Sequence, residues 1–273
     1  MIAGLASVAS TFAPGPLAAQ VPLAPVSGAG LTVTPAFEGW YQNADGTFSL
    51  SFGYFNRNAE EVIEIPLGPG NFIEPSGLDG VQPTRFETRR HWGVFVVTVP
   101  ADFGDEKVRW TLVVRGKTFS IPGHLRPDWK IDALAGEAGT GNTPPVLVFD
   151  PNGPEARGPG GFVTGPLDAT VGAPLEIAIW AHDDGKGGSS VVGARPDPPI
   201  DISWFKHQGP GDVVFGAPVA QIASEGGQAA TTVTFGAPGE YVLRVSANDS
   251  SVSSAGHAQC CWTNAFVRVR VTS

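Results

Sequence analysis

Charge is scarce in this sequence: only 16% of its 273 residues are Asp, Glu, Lys or Arg, well below the globular average of about 25%. Basic residues are scarcer still, 17 against 26 acidic ones, which leaves a net charge of −9. A nucleic-acid partner is therefore not expected, because phosphate neutralisation needs a basic surface. The one local basic cluster, Arg85, Arg89, Arg90 and His91, is interleaved with Glu87 and reads as a solvated strand edge. No Lys or Arg occurs before Arg57, so the apolar lead of residues 1–30 lacks the positive start of a standard secretory signal. Its apolar stretch ending at Ala18-Ala19-Gln20 still reads as a trimmed signal core and cleavage site, and export is expected. That lead is too short and too broken by proline to span a bilayer, and no other run reaches membrane-spanning length, so no membrane span is expected. Amphipathic runs of ten or more helical residues are absent as well.

What is abundant is glycine and proline, 36 and 25 residues, alongside 42% hydrophobic and 10% aromatic content. This mixture interrupts long helices and suits short strands joined by tight turns around a real core. Alternating runs begin at Leu31–Thr34 and resume at Thr47–Phe55. Between them Asn43-Ala44-Asp45-Gly46 has hairpin-turn composition. Further strands are predicted at Glu61–Leu67, Gly93–Val99, Lys107–Arg115 and Lys117–Ile121, the last two meeting at Gly116. In Gly93–Val99 both faces are apolar, as in a strand buried inside a layered structure.

Residues 132–145 turn small, turn-forming and aperiodic, the composition of a linker. Beyond them strands are predicted at Val146–Phe149, Leu175–Ala181, Ile200–Phe205, Asp212–Phe215, Ala230–Phe235, Tyr241–Ala247 and Ala265–Val271. Seven short strands over about 130 residues point to an immunoglobulin-like sandwich. The expected fold is all-β with two β-sandwich domains: a lead over 1–30, a first sandwich over 31–131, a linker over 132–145 and a second sandwich over 146–273.

Within the second half, Ile202-Ser-Trp204, Gln208-Gly-Pro-Gly-Asp-Val-Val-Phe215, Thr232-Val-Thr-Phe235 and Pro238-Gly-Glu-Tyr-Val-Leu-Arg-Val-Ser-Ala-Asn-Asp249 occur in that order. Together they resemble the PKD-like domains of bacterial extracellular proteins over roughly residues 143–273. The WDFGDG signature of that family is absent, and an insertion around Gly185–Pro199 lengthens an early loop. The phrase running from Gly39-Trp-Tyr-Gln to Asn71-Phe-Ile-Glu-Pro75 resembles the amino-terminal part of uncharacterised exported bacterial proteins, which implies a separate domain and no function. Strand periodicity puts Trp204 between the sheets of the second sandwich. It also puts Tyr241, Leu243 and Val245 on one face, with Tyr241 at a corner and Val242 and Arg244 opposite.

Cys260 and Cys261, the only cysteines, are adjacent. Joined as a vicinal disulfide, they would have a Cα separation of about 3.8 Å, below the usual range of about 4.4–6.8 Å. Left as thiols, they alternate in and out of a sheet. His257 precedes them by three and four residues, short of the three or four ligands a metal site draws together, so no metal and no cofactor is expected. Asp183, Asp184 and Asp249 could offer oxygens to calcium, but their first expected role is to accept backbone N–H groups in turns. G-x-S-x-G, H-E-x-x-H and phosphate-binding glycine patterns are absent, and the five histidines are scattered, so the chain is not expected to be an enzyme.

Three functions follow for comparison. The first is a secreted or cell-surface structural or adhesion protein, which meets protein partners or itself through sheet edges. The second is a carbohydrate-binding protein that stacks an extracellular glycan on Trp40, Tyr41 and Trp92. The third is an extracellular hydrolase with paired carboxylates in a cleft between the domains. Location is expected to be extracellular, periplasmic or on the cell surface.

Overall fold

The computed structural model describes residues 27–131, 141–186, 199–249 and 261–273. The apolar lead to residue 26, most of the linker and most of the Gly185–Pro199 insertion lie outside these. Strands are numbered in chain order. In the first half, β1 (Val33–Gln42), β2 (Phe48–Asn56) and β6 (Arg89–Val99) form one antiparallel sheet in the order β1-β2-β6. A second sheet, ordered β4-β7-β8, comprises β4 (Asn71–Glu74), β7 (Val108–Val114) and β8 (Lys117–Gly123). The short strands β3 (Ile63–Glu64) and β5 (Arg85–Phe86) make a two-stranded ribbon.

The inward side chains of these sheets explain the pairing. Phe52 stacks on Phe95 at 5.5 Å, and Trp110 meets Phe95 edge-on at 4.9 Å. Trp110 is fully buried, so its indole N–H needs a partner and finds Asn71 Oδ1 at 3.0 Å. The predicted hairpin at Asn43–Gly46 is present. Gly46 takes φ +89°, and Asp45 Oδ1 accepts from both the N–H and the hydroxyl of Thr47. The β7–β8 turn falls on Arg115 and Gly116, both at positive φ.

The second half contributes β9 (Val146–Val148), β10 (Val163–Thr170), β11 (Leu175–His182), β12 (Ile200–Gln208), β13 (Val213–Phe215), β14 (Val219–Ile222), β15 (Gly227–Phe235), β16 (Gly239–Asn248) and β17 (Trp262–Thr272). They form a five-stranded sheet, β10-β17-β16-β12-β14, facing a four-stranded one, β13-β15-β11-β9. The result is an all-β chain with an immunoglobulin-like sandwich. Trp204 fills the space between these sheets. Tyr241 holds the corner: its hydroxyl donates to Ala237 O at 2.8 Å and accepts from Gly211 N at 3.1 Å.

Several strands depart from expectation: β4, β5 and β14 were not predicted at all, and three others differ. The first is not Leu31–Thr34 but the longer β1, which draws Trp40 and Tyr41 out of the turn and into the sheet. The run Glu61–Leu67 keeps only the two residues of β3, which pair with the equally short β5, and Pro66 ends it. β10 was not legible, because Gly165-Pro166 reads as a turn; here that pair sits at a register shift where β10 runs parallel to β17. Proline is tolerated there because β10 is an edge strand.

Two large hydrophobic clusters result, one per half, and two features cross between the halves: Phe266, from β17, packs in the first-half cluster, and a small third cluster joins Tyr41 and Ile131 to Cys261. The cause is visible along β17. Trp262 through Val267 are all buried, whereas from Arg268 onward burial alternates residue by residue. Where both faces are buried, the outer face of the five-stranded sheet lies against the first module. Replacing Tyr241 with Phe removes both corner hydrogen bonds while keeping the ring, and should cost about 1–3 kcal/mol. Urea denaturation of the two chains measures it.

Candidate functional site

The ionisable groups that depart furthest from their ordinary behaviour gather where the modules meet. Strand alternation sends Phe205 and His207 from β12, Arg244 from β16, and Trp262, Asn264 and Phe266 from β17 to the outer face. Against them stand Glu38 on β1, Tyr54 on β2, and Arg90, His91 and Gly93 on β6.

Glu38 anchors the first-module side. It is buried, and its oxygens are taken by Arg90 Nη2 at 2.6 Å and by Gly93 N at 2.8 Å. Burial pushes its carboxyl up to about 7, against the pull of Arg90 and the Gly93 N–H. The next link passes through backbone: Gly93 O accepts from Asn264 Nδ2 at 2.5 Å and from the indole of Trp262 at 3.4 Å. Asn264 also donates to Pro159 O and accepts from Arg244 Nη1 at 3.1 Å. Gly93 is irreplaceable on two counts. Its φ is +44°, and a Cβ there would run into the Trp262 ring.

Arg244 is fully enclosed, with its guanidinium 4.3 Å from the centre of the Phe205 ring. Burial lowers it to about 10, and the nearby Tyr54 and Glu87 offset part of that loss. Two histidines share the junction. His91 stacks on Tyr54 at 5.0 Å and meets Phe205 edge-on, and burial followed by the Arg244 charge brings it down to about 4. His207 hydrogen-bonds Val81 O at 2.9 Å through Nε2, while its backbone carbonyl accepts from Thr84 N at 2.8 Å. Burial holds it at about 3. On the rim, the buried ammonium of Lys206 reaches both oxygens of Glu64 at 3.0 Å, and Gln208 donates to Gly80 O and Gln82 O.

Chemically this arrangement is a joint. Glu38 has both oxygens engaged, and each cation beside it has a partner or a ring. The paired carboxylates sought between the domains lie instead at one end of the second sandwich. There burial, with Asp249 and Asp184 adding, pushes Asp183 up to about 6. Asp183 and Asp184 do what turns ask of them: Asp183 accepts from Gly185 N at 3.1 Å and Asp184 from Lys186 N at 2.9 Å. Asp249 accepts from Asn142 Nδ2 at 2.7 Å.

The three rings expected to carry a glycan do not share a platform. Trp40 and Tyr41 are successive residues of β1 and face opposite ways. Tyr41 is buried, its hydroxyl accepting from Gly160 N at 3.0 Å. Trp40 is half-buried, edge-on to Phe48, with its N–H on Arg126 O at 2.8 Å. Trp92 is half-buried under the Arg90 guanidinium, 3.8 Å from the ring centre. Cys261 is buried beside Tyr41 and Ile131, and no free cysteine occurs among the described residues. Cys260, its expected partner, lies outside them. Sequence reasoning put Arg244 on the correct face but missed the junction itself. The available signals were Gly93 inside an apolar strand, which marks a close approach, and the polar Asn264 in an otherwise apolar run.

No family model matches the chain, and no curated protein matches it. Among solved structures, the D00-D0 domains of intimin align over 89% of this chain and 100% of theirs, at 13% identity and TM-score 0.28. The Yersinia pseudotuberculosis adhesin InvE aligns over 87% of this chain and 58% of its own, at 12% identity and TM-score 0.26. Domains 4 and 5 of the S-layer protein SbsC align over 62% and 66%, at 10% identity and TM-score 0.26. Scores this low fix neither topology nor function.

Two outcomes test the joint. Since His207 is held below its unfolded value of 6.5, the unfolded chain binds the extra proton, so its contribution to stability is present above that value and is lost as pH falls toward 3. His207→Gln keeps a donor for Val81 O and does not titrate. Below pH 6.5 the wild type should therefore lose about 1.4 kcal/mol more per pH unit than the variant, read from urea midpoints. Gly93→Val drives a side chain into Trp262 and should cost about 3 kcal/mol. Calorimetry should then resolve two transitions where the parent shows one.

Proposed function

We propose that this chain is a non-catalytic structural or adhesion unit of the cell surface or extracellular space, built as a fixed pair of β-sandwich modules, the second of PKD-like type. The observation that carries this reading is the use made of the junction. Asn264 and Trp262 donate to Gly93 O, His207 to Val81 O, Thr84 N to His207 O and Lys206 to Glu64 across the junction, so the polar chemistry of the interface sets the angle between the modules. Sliding one module past the other would orphan Gly93 O, Asn264 and Thr84 N, each at about 1–3 kcal/mol. A pair held this way acts as a spacer of defined shape.

Partners would reach it at the strand edges. β14 is an outer strand of the five-stranded sheet and β13 of the four-stranded one, and they carry Val219 and Val214, which are 68% and 65% exposed. Such edges accept an added strand from a protein partner or from a second copy. The export expected from the amino-terminal sequence belongs to the same reading. An epitope-tagged chain expressed in its source cells should be recovered in the medium or be stripped from intact cells by protease. Its deletion should reduce attachment or surface integrity. A tagged chain that resists external protease and stays in the cytosolic fraction would end this reading.

A further inference from the structure

Beyond its use as a joint, the interface contains a groove of about 360 Å³, walled by Val81, Val96, Phe162, Val163, Val242 and Phe266. His207 lines it, with its ring edge-on to Phe266 at 5.1 Å. The hydrogen bonds of this imidazole assign its tautomer. Val81 O is a carbonyl and only accepts, so the hydrogen of the neutral ring sits on Nε2. Nδ1 is then a bare lone pair, and it has no hydrogen-bond partner although it is buried. His207 as a whole is 3% exposed. An unmet acceptor on a residue that lines a mainly apolar groove is a standing penalty that a suitable donor removes.

We propose that this groove is a binding site for a small, mostly apolar molecule carrying a neutral N–H or O–H donor, which bonds to His207 Nδ1. The size lies within the range of small-ligand pockets, about 300–1,000 Å³. The chemistry follows from the tautomer. A carboxylate would set its lone pairs against that of Nδ1, and burial together with the nearby Arg244 charge opposes protonation of the ring. Nδ1 is closed to bulk water, so the donor reaches it on an apolar body that displaces the lining side chains slightly and is rewarded by contact with Val81, Val96 and Phe266.

Indole and 1-methylindole separate the two parts of this idea, since they differ chiefly in the donor. Titrated into the full chain labelled with nitrogen-15 at histidine, indole should bind about tenfold more tightly than 1-methylindole and shift the Nδ1 resonance of His207. His207→Phe should erase the preference while leaving 1-methylindole binding unchanged. Val163→Trp, at a half-exposed position on the groove wall, should weaken both probes whether or not the His207 variant folds. Equal affinity of the two probes for the wild type, failure of either to bind, or a preference that survives His207→Phe would overturn the site. None of these results bears on where the chain resides in the cell.

Discussion

Burial of the outer face of β12, β16 and β17 against the first module is the constraint from which the rest of the architecture follows. An immunoglobulin-like sandwich standing alone shows water the outer faces of both sheets and alternates apolar with polar along each strand. Here the five-stranded sheet becomes a middle layer. Its inward side closes on the four-stranded sheet, and its outward side closes on β6 and the neighbouring strands. The burial record of β17, continuous through Val267 and alternating from Arg268, marks where the covered area stops. Phe266 consequently belongs to the core of the half that does not contain it in sequence.

The electrostatics of this layer serve placement more than strength. Buried ion pairs recover little beyond their desolvation cost, but a buried charge left without its partner is expensive. Lys206 with Glu64, the pair that crosses the junction, penalises alternative dockings in this way. The chain as a whole is acidic, yet Arg244, Lys206, Arg90, His91 and His207 all face the junction. Burial holds both histidines neutral, which limits the positive charge that the few acidic partners must balance.

Much of the fold was legible because strand periodicity and turn chemistry are local. Asn43–Gly46, Trp204 and Tyr241 stand where the alternation and the corner geometry put them, and Asp183 and Asp184 accept the turn N–H groups assigned to them. What was hidden is non-local. β10 pairs through a Gly-Pro step that looks like a turn in isolation, and its partner β17 lies about a hundred residues away. Trp40 and Tyr41 looked available beside a turn because the length of β1 depends on its pairing with β2. The junction was invisible for the same reason: alternation says that Arg244 leaves the core of its own sandwich but says nothing of what it meets outside.

The place of Phe266 in a foreign core carries a consequence for biosynthesis. The first module emerges from the ribosome with part of its apolar surface uncovered, and Phe266, on the strand that covers it, is translated about 135 residues after Ile131. At a typical elongation rate of about 5–20 residues per second, that gap lasts roughly seven to twenty-seven seconds. Over this interval the nascent chain stays incompletely closed, a condition compatible with threading through a translocation pore and open to chaperone capture.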